Sequence, residues 1–380
     1  MTRCALCGRI NTSNEYRCTC GGPLQLDFFK GSIKEDGNVW SVYRDFFPYK
    51  VSKEDSLGEG NTPLTRAKKL SAELDINLYL KNETVNPTWS FKDRGTIFGI
   101  KRAIELGYER IGTVSTGNMA ASLACYGAYH GLQTFVLVPS DIHEDKIGQI
   151  SMYGPEIIGI DGDYGSLYFE SLDLDDIYFI NSDNPYRIEG YKSIAFEIAS
   201  EVEASHVIIP TSSGGLFRGI VKGYEELFQN HIISDLPKFI AVQAEGCSPI
   251  QRAFAEDGPI RRWKSPNTVA KAISNSFPPS GDVVVRKLKE LKGTCAAVDD
   301  HDILEAQSSI ARDGIYCQPA SAVGVAALPQ LMDDMDHYSK VVSLITGSGM
   351  KVEGRSTKVN TVTIGNLRKK CNPLKNHQHI

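Results

Sequence analysis

Between about residues 59 and 355, short β-branched runs alternate with helical stretches, and this alternation constrains the fold more than any other feature of the chain. The runs fall at 111–115, 134–138, 177–180, 207–210, 239–243 and 341–345. Between them, spacings such as Ile194, Ile198 and Val202 mark one apolar helical face. Strands that are apolar almost throughout, each followed by a helix, predict parallel sheets covered on both faces. The expected class is α/β. At 380 residues the chain exceeds the roughly 250–300 that one core supports, so two open, mostly parallel twisted sheets are expected. No repeat of solenoid spacing is present.

Two flanking segments and a tail read differently. Residues 1–28 contain Cys4-x2-Cys7 and, ten residues on, Cys18-x-Cys20 followed by Gly-Gly-Pro. Two close thiol pairs on glycine-containing turns suit a tetrahedral metal, as in a zinc ribbon, and four thiolates would fill the coordination sphere. Cys4, Cys7, Cys18 and Cys20 are therefore candidate ligands of a structural zinc. The other reading is a metal-free apolar knuckle. Residues 29–58 carry five basic and five acidic side chains around the aromatic patch 40–48, and read as an arm lying on the main body. Residues 356–380 hold five basic residues and no acidic one, which reads as a solvated surface or an interface. The net charge of −5 argues against broad nucleic-acid contact. No run of about 20 apolar residues could span a bilayer, and the start lacks a secretory apolar core. A cytoplasmic location without membrane contact, and thiols in place of a disulfide frame, are expected.

Four segments could carry chemistry, each where a strand or helix ends. In Asn86-Pro87-Thr88-Trp89-Ser90-Phe91-Lys92-Asp93-Arg94-Gly95 the turn opens a helix, so Lys92 sits at its positive end with an arginine nearby. Both disfavour an ammonium, and a lysine so placed is a nucleophile and Schiff-base former; alone, it reads as well as a surface lysine. Ser115-Thr116-Gly117-Asn118 follows a strand and opens a helix, presenting backbone N–H groups that suit a carboxylate or serve as a plain cap. Thr211-Ser212-Ser213-Gly214-Gly215-Leu216 offers hydroxyl and N–H donors for a phosphate, without the lysine of a nucleotide P-loop or the spacing of a dinucleotide fingerprint. Thr346-Gly347-Ser348-Gly349 ends the last apolar strand, where a ring or another segment could approach closely.

Taken in order, these segments resemble the threonine synthase family among pyridoxal-phosphate enzymes of the tryptophan-synthase-β fold type (fold type II). The likeness includes the cysteine knuckle, LGEGNTPL at 57–64, NPTWSFKDRG, STGNMAAS at 115–122, NSDNPYRIEGYKS at 181–193, VQAEGCSPI at 242–250, QPASAVGVAAL at 318–328 and ITGSGMK at 345–351. The resemblance implies pyridoxal 5′-phosphate held by Lys92 as an internal Schiff base. It implies Asn118 at the ring hydroxyl, Ser212, Ser213, Gly214, Gly215 and Leu216 around the phosphate, and Thr346 at the pyridine nitrogen. A hydroxyl there makes a milder electron sink than a carboxylate partner would. For the substrate, O-phospho-L-homoserine, it implies Asn181, Ser182 and Arg187 at the leaving phosphate with Ser115 assisting, and Thr116 and Gly117 among the other substrate contacts. The expected reaction is a lyase converting O-phosphohomoserine and water to L-threonine and phosphate.

Three departures from the family pattern bear on specificity. Met119 replaces a threonine that touches the substrate phosphate, and a thioether donates no hydrogen bond. The Ser-Ser-Gly-Gly-Leu loop lacks the family's asparagines. Trp89 stands where glycine is usual, three residues from Lys92, so its ring either narrows the site or turns outward. Two other readings stay open: replacement or elimination at the β carbon of O-phosphoserine or another activated amino acid, and a non-catalytic regulatory or binding protein on the same scaffold. A homo-oligomer is possible on sequence grounds. The lobe at about 95–190 is expected to move on binding.

Overall fold

The computed structural model describes residues 1–12, 16–142, 147–161, 167–168 and 170–352; the basic segment 356–380 lies outside them. Along the chain run strands β1 (Thr2–Cys4), β2 (Ile10–Asn11), β3 (Leu24–Leu26), β4 (Leu64–Arg66) and β5 (Asn77–Asn82). Helix α1 (Lys92–Glu105) leads to β6 (Arg110–Val114), α2 (Asn118–Tyr129), β7 (Gln133–Pro139), β8 (Glu156–Ile160) and β9 (Tyr178–Phe179). Then come α3 (Pro185–Glu201), β10 (His206–Pro210), α4 (Gly215–Gln229), β11 (Lys238–Ala244), α5 (Gly281–Glu290), β12 (Thr294–Val298), α6 (Asp300–Arg312), α7 (Pro319–Ala326) and β13 (Lys340–Ile345).

These strands make three sheets. A six-stranded sheet has the order β12-β11-β10-β13-β5-β4, parallel except for the β4–β5 pair. A four-stranded parallel sheet has the order β8-β7-β6-β9. The third is a small antiparallel sheet, β2-β1-β3, beside the cysteines. The large sheet is buried on both faces. Ile208, Ile240 and Val242 join one apolar cluster, while Val207, Ile209, Phe239 and Ala241 join another on the opposite side. Side chains alternate across a strand, so a strand covered on both faces is apolar along most of its length. Val207–Pro210, buried throughout, is the clearest case.

Some elements are not apparent from apolar runs. In β5, Lys81 is fully buried and pairs with Glu197 at 2.7 Å, so a lysine interrupts the apolar run of a strand interior. The strand expected at 177–180 is only Tyr178–Phe179. It stops because Asn181 turns its side chain into the ladder, its Oδ1 accepting the Val114 N–H at 3.1 Å. The 29–58 segment lays Trp40 and Phe47 against Phe98, and Tyr43 and Phe46 against Phe196, which ties it to α1 and α3. No described helix is long and apolar enough to cross a membrane.

The site-forming loops all leave the carboxyl ends of parallel strands. Residues 211–214 follow β10, 346–349 follow β13, the turn before Lys92 follows β5, and 115–117 follow β6. In an open α/β sheet this is where ligands bind, since helix N-termini and unpaired donors converge there.

Candidate active site

Lys92 is the first residue of α1, and the turn before it is pinned to the end of β13. Phe91 N–H donates to Thr346 O at 3.1 Å, Ser348 N–H to Trp89 O at 3.0 Å, and Ser90 bridges Gly347. The segments that carry Lys92 and Thr346, 254 positions apart in sequence, are thereby held side by side. Lys92 Nζ sits 4.4 Å from the centre of the Phe91 ring. Loss of water, and then the positive Arg187 guanidinium, pull its pKa down to about 7. At neutral pH a large fraction is free amine. The arginine responsible is not the sequence neighbour: Arg94 is neutralised by Glu83 at 2.6 Å and Glu197 at 2.6 Å.

Asn118 opens α2 and reaches the same place. Its Nδ2 donates to Gln318 Oε1 at 3.2 Å, Gln318 N–H donates to Gly347 O at 3.0 Å, and Ser321 Oγ lies 2.9 Å from Thr346 Oγ1. Gly347 stands at the centre of this group. A Cβ there would stand 2.7 Å from Gln318 Nε2 and 3.2 Å from Asn118 Nδ2, so only glycine lets these side chains approach the backbone. Gln318 and Ser321 carry no role in the sequence reading. Their segment, QPASAVGVAAL, entered that reading only as part of the family likeness.

The loop after β10 presents an unusual set of donors. The N–H groups of Ser212, Ser213, Gly214, Gly215 and Leu216 have no protein acceptor among the described residues. Gly214 has φ +92°, and a Cβ on it would press to 2.9 Å on Ser280 and Val284, so glycine is required twice over. The loop is buttressed from behind by Ser280 N–H, which donates to Ser213 O at 3.0 Å. Five free donors at the start of a 15-residue helix fit a dianionic phosphate. Leu216 contributes its N–H only, because its side chain is in the apolar core.

Beside these loops, the turn at 181–184 abuts the start of α4, where a methyl group on Gly215 would collide with Ser182 O. Arg187, on α3, is fully buried. Its hydrogen bonds go to neutral acceptors: Asn181 O at 3.4 Å, Lys92 O at 3.4 Å and the Tyr191 hydroxyl at 2.5 Å. Its Nε and the Nδ2 of Asn181 are buried donors without an acceptor. Burial pulls the Arg187 pKa down and pushes that of Tyr191 up to about 12. Asp93 and Asp183 act on it only through space, and a buried guanidinium hydrogen-bonded to neutral groups alone is costly unless an anion joins it. On the small lobe, Ser115 N–H is taken by Leu137 O at 3.2 Å, while Thr116 and Asn118 N–H have no protein acceptor among the described residues.

The three departures sort differently. Met119 lies in the apolar core of the small lobe and Leu216 in that of the large lobe. Trp89 is 47% exposed with φ +64°, a left-handed conformation that suits the glycine it replaces, and its ring is turned toward solvent.

The low-pKa amine and the free donors at a helix start fit the aldehyde and the phosphate of pyridoxal phosphate in chemistry. A family model described as pyridoxal-phosphate dependent enzyme matches residues 56–347, and the chain belongs to that family. The chain is 38% identical to threonine synthase of Methanocaldococcus jannaschii over 382 residues, covering 92% of this chain and 93% of the other. It is 36% identical to threonine synthase of Methanosarcina acetivorans, covering 97% and 91%. Within the class, it is a member of the threonine synthase family. Among solved structures, it is similar to a processed threonine deaminase isoform from Solanum lycopersicum (TM-score 0.68, 20% identity, 96% of this chain and 93% of that one). Maize serine racemase has a TM-score of 0.65 at 22% identity, covering 84% and 94%. These structures share the fold.

Proposed function

We propose that the chain converts O-phospho-L-homoserine and water to L-threonine and phosphate, using pyridoxal 5′-phosphate. One observation carries the choice of a phosphorylated substrate: Arg187 and Asn181 form a second set of unsatisfied donors beside Lys92, separate from the five N–H groups after β10. One set suits the cofactor's phosphate and leaves the other for the leaving group of the substrate.

When bound, pyridoxal phosphate supplies an electron sink for carbanions formed on the substrate's amino-acid carbons. The chain's residues do the rest. Lys92 Nζ, largely neutral at physiological pH, would hold the cofactor and then carry protons to and from the reacting carbons. Asn118 would meet the ring hydroxyl, and Thr346 the ring nitrogen. Thr346 Oγ1 shares a hydrogen bond with Ser321, so it can serve that nitrogen as donor or acceptor but cannot fix a charge on it. The free N–H groups of Thr116 and Asn118 would take the substrate carboxylate, with Ser115 and Gly117 shaping the turn. Ser182, Asn181 and Arg187 would bind the departing phosphate and stabilise its growing charge. Closure of the small lobe on the large one would exclude water that could protonate the wrong carbon.

The four cysteine sulfurs support a structural zinc. Cys4–Cys20 and Cys7–Cys20 stand 3.5 Å apart, and Cys7–Cys18 3.7 Å. Four sulfurs at about 2.3 Å from one tetrahedral centre would be about 3.8 Å apart. Backbone N–H groups of Leu6 and Cys7 also point at Cys4 Sγ.

The test is product analysis. With O-phosphohomoserine, the cofactor-loaded protein should release phosphate and threonine in equal amounts. Turnover of O-phosphoserine with none of O-phosphohomoserine would replace this reading with β-replacement or elimination.

A further inference from the structure

Two side chains just before Cys18 leave the cysteine module and reach the catalytic body. The Tyr16 hydroxyl accepts the Phe179 N–H at 3.0 Å, at the end of β9. Arg17 reaches further. Its Nη1 donates to Asp183 Oδ2 at 2.6 Å and its Nη2 to Pro279 O at 3.1 Å. Asp183 is buried, follows Ser182 directly, and takes the Tyr168 hydroxyl on its other oxygen. Pro279 precedes Ser280, the residue that buttresses the phosphate loop through Ser213 O. A single guanidinium therefore ties the turn assigned to the substrate phosphate to the support of the loop assigned to the cofactor phosphate.

The aim of that guanidinium is set by the cysteine turn. Arg17 Nε and Nη2 both donate to Gly21 O, at 2.9 and 2.5 Å. Gly21 N–H closes the turn onto Cys18 O at 2.7 Å, with φ +80° at the glycine. The turn carries Cys18 and Cys20, two of the four converging sulfurs. The module is also clamped to the body from the other side. Arg218 donates to Leu24 O at 2.7 Å and to Ser280 Oγ at 3.0 Å, and Arg286 donates to Leu6 O at 2.9 Å. A metal bound by the cysteines would fix the turn, the turn would fix Arg17, and Arg17 would fix Asp183 and the residues next to it.

We propose that Arg17 is a positioning residue for the substrate-phosphate turn, and that metal held by Cys4, Cys7, Cys18 and Cys20 controls its aim, so the module tunes substrate affinity. The proposal rests on the assignment of Asn181 and Ser182 to the substrate phosphate. It separates this module from a passive stabiliser, which would affect folding and cofactor retention alike.

The experiment uses the full-length holoenzyme with zinc content measured. Arg17→Gln should raise KM for O-phosphohomoserine about ten- to a hundredfold with kcat changed less than about threefold. The cofactor absorbance spectrum and zinc per chain should stay as in wild type, with some loss of Tm because Asp183 is left buried without its cation. Asp183→Asn should give the same KM increase, and the double variant should be no worse than either single one, because both break one link. Removing metal under reducing conditions should raise KM in wild type, restoring it with added zinc, and should leave the KM of Arg17→Gln unmoved. An unchanged KM in soluble Arg17→Gln, or parallel losses of kcat and cofactor, would overturn the proposal. If Arg17→Gln does not fold, Asp183→Asn decides on the same criteria. A wild-type enzyme that does not turn over O-phosphohomoserine would remove the functional reading, and this proposal with it. Wild-type turnover with an insensitive Arg17 would remove this proposal alone.

Discussion

Arg187→Met separates a ligand-binding arginine from a structural one. In a structural ion pair, loss of one partner leaves a stranded charge and costs about 3–5 kcal/mol of stability. Arg187 has no such partner: its bonds go to two backbone carbonyls and the Tyr191 phenol, and its Nε goes unbonded. Methionine would fill much of the volume and remove a buried charge. The lost neutral contacts and the relieved desolvation should then nearly offset, leaving the apoprotein within about 1 kcal/mol of wild type. Binding should suffer much more. Two charge-assisted hydrogen bonds to a phosphate, at about 1.5–3 kcal/mol each, correspond to roughly a hundred- to ten-thousandfold in kcat/KM. Urea unfolding of the apoprotein and continuous phosphate detection on the holoenzyme supply the two numbers. A stability loss above about 3 kcal/mol with a small change in kcat/KM would refute the reasoning, since Arg187 would then be part of the scaffold.

Three further outcomes follow from the same geometry. The Lys92 pKa is lowered from 10.5 to about 7, so the unfolded chain binds the extra proton between those values, and apoprotein stability should rise with pH across that window. Lys92→Met should abolish this slope in pH-dependent unfolding; an unchanged slope would mean the lysine is solvated. Cofactor uptake by the apoprotein should speed up as pH passes about 7, and Arg187→Met should move that rise to higher pH because it deletes a positive neighbour. Stopped-flow absorbance checks the direction. Gly214→Ala places a methyl group against Ser280 and Val284 at a φ that disfavours it, so Kd for pyridoxal phosphate should rise at least tenfold by equilibrium titration, with zinc content unchanged.

The sheet strands and the loops after them were legible because both obey local rules. Buried parallel strands such as β10, apolar from Val207 to Pro210, show as β-branched runs, and a glycine pair after one announces a helix start with free donors. The pairing of Lys92 with Thr346 was open only to resemblance, since nothing in either segment encodes the backbone bonds that join 89–91 to 346–348. Charge was the least legible property. Lys81, Arg94 and Glu197 are buried in one network that no local pattern marks, while the arginine that acts on Lys92 is Arg187 and not its neighbour Arg94. Met119 and Leu216 looked like losses at the site because sequence position was taken for side-chain direction. Both point into the core, so the backbone donors beside them are unaffected. The reach of Arg17 had no sequence signal at all, because Asp183 lies 166 positions away.

Borohydride reduction followed by peptide mass spectrometry tests most directly whether the amine beside Thr346 is the one that captures the cofactor. The pyridoxyl label should appear on the peptide containing Lys92, and Lys92→Ala should take up none. Labelling of Lys351, a second amine whose pKa burial pulls down to about 8, or of any other lysine in place of Lys92 would contradict the account.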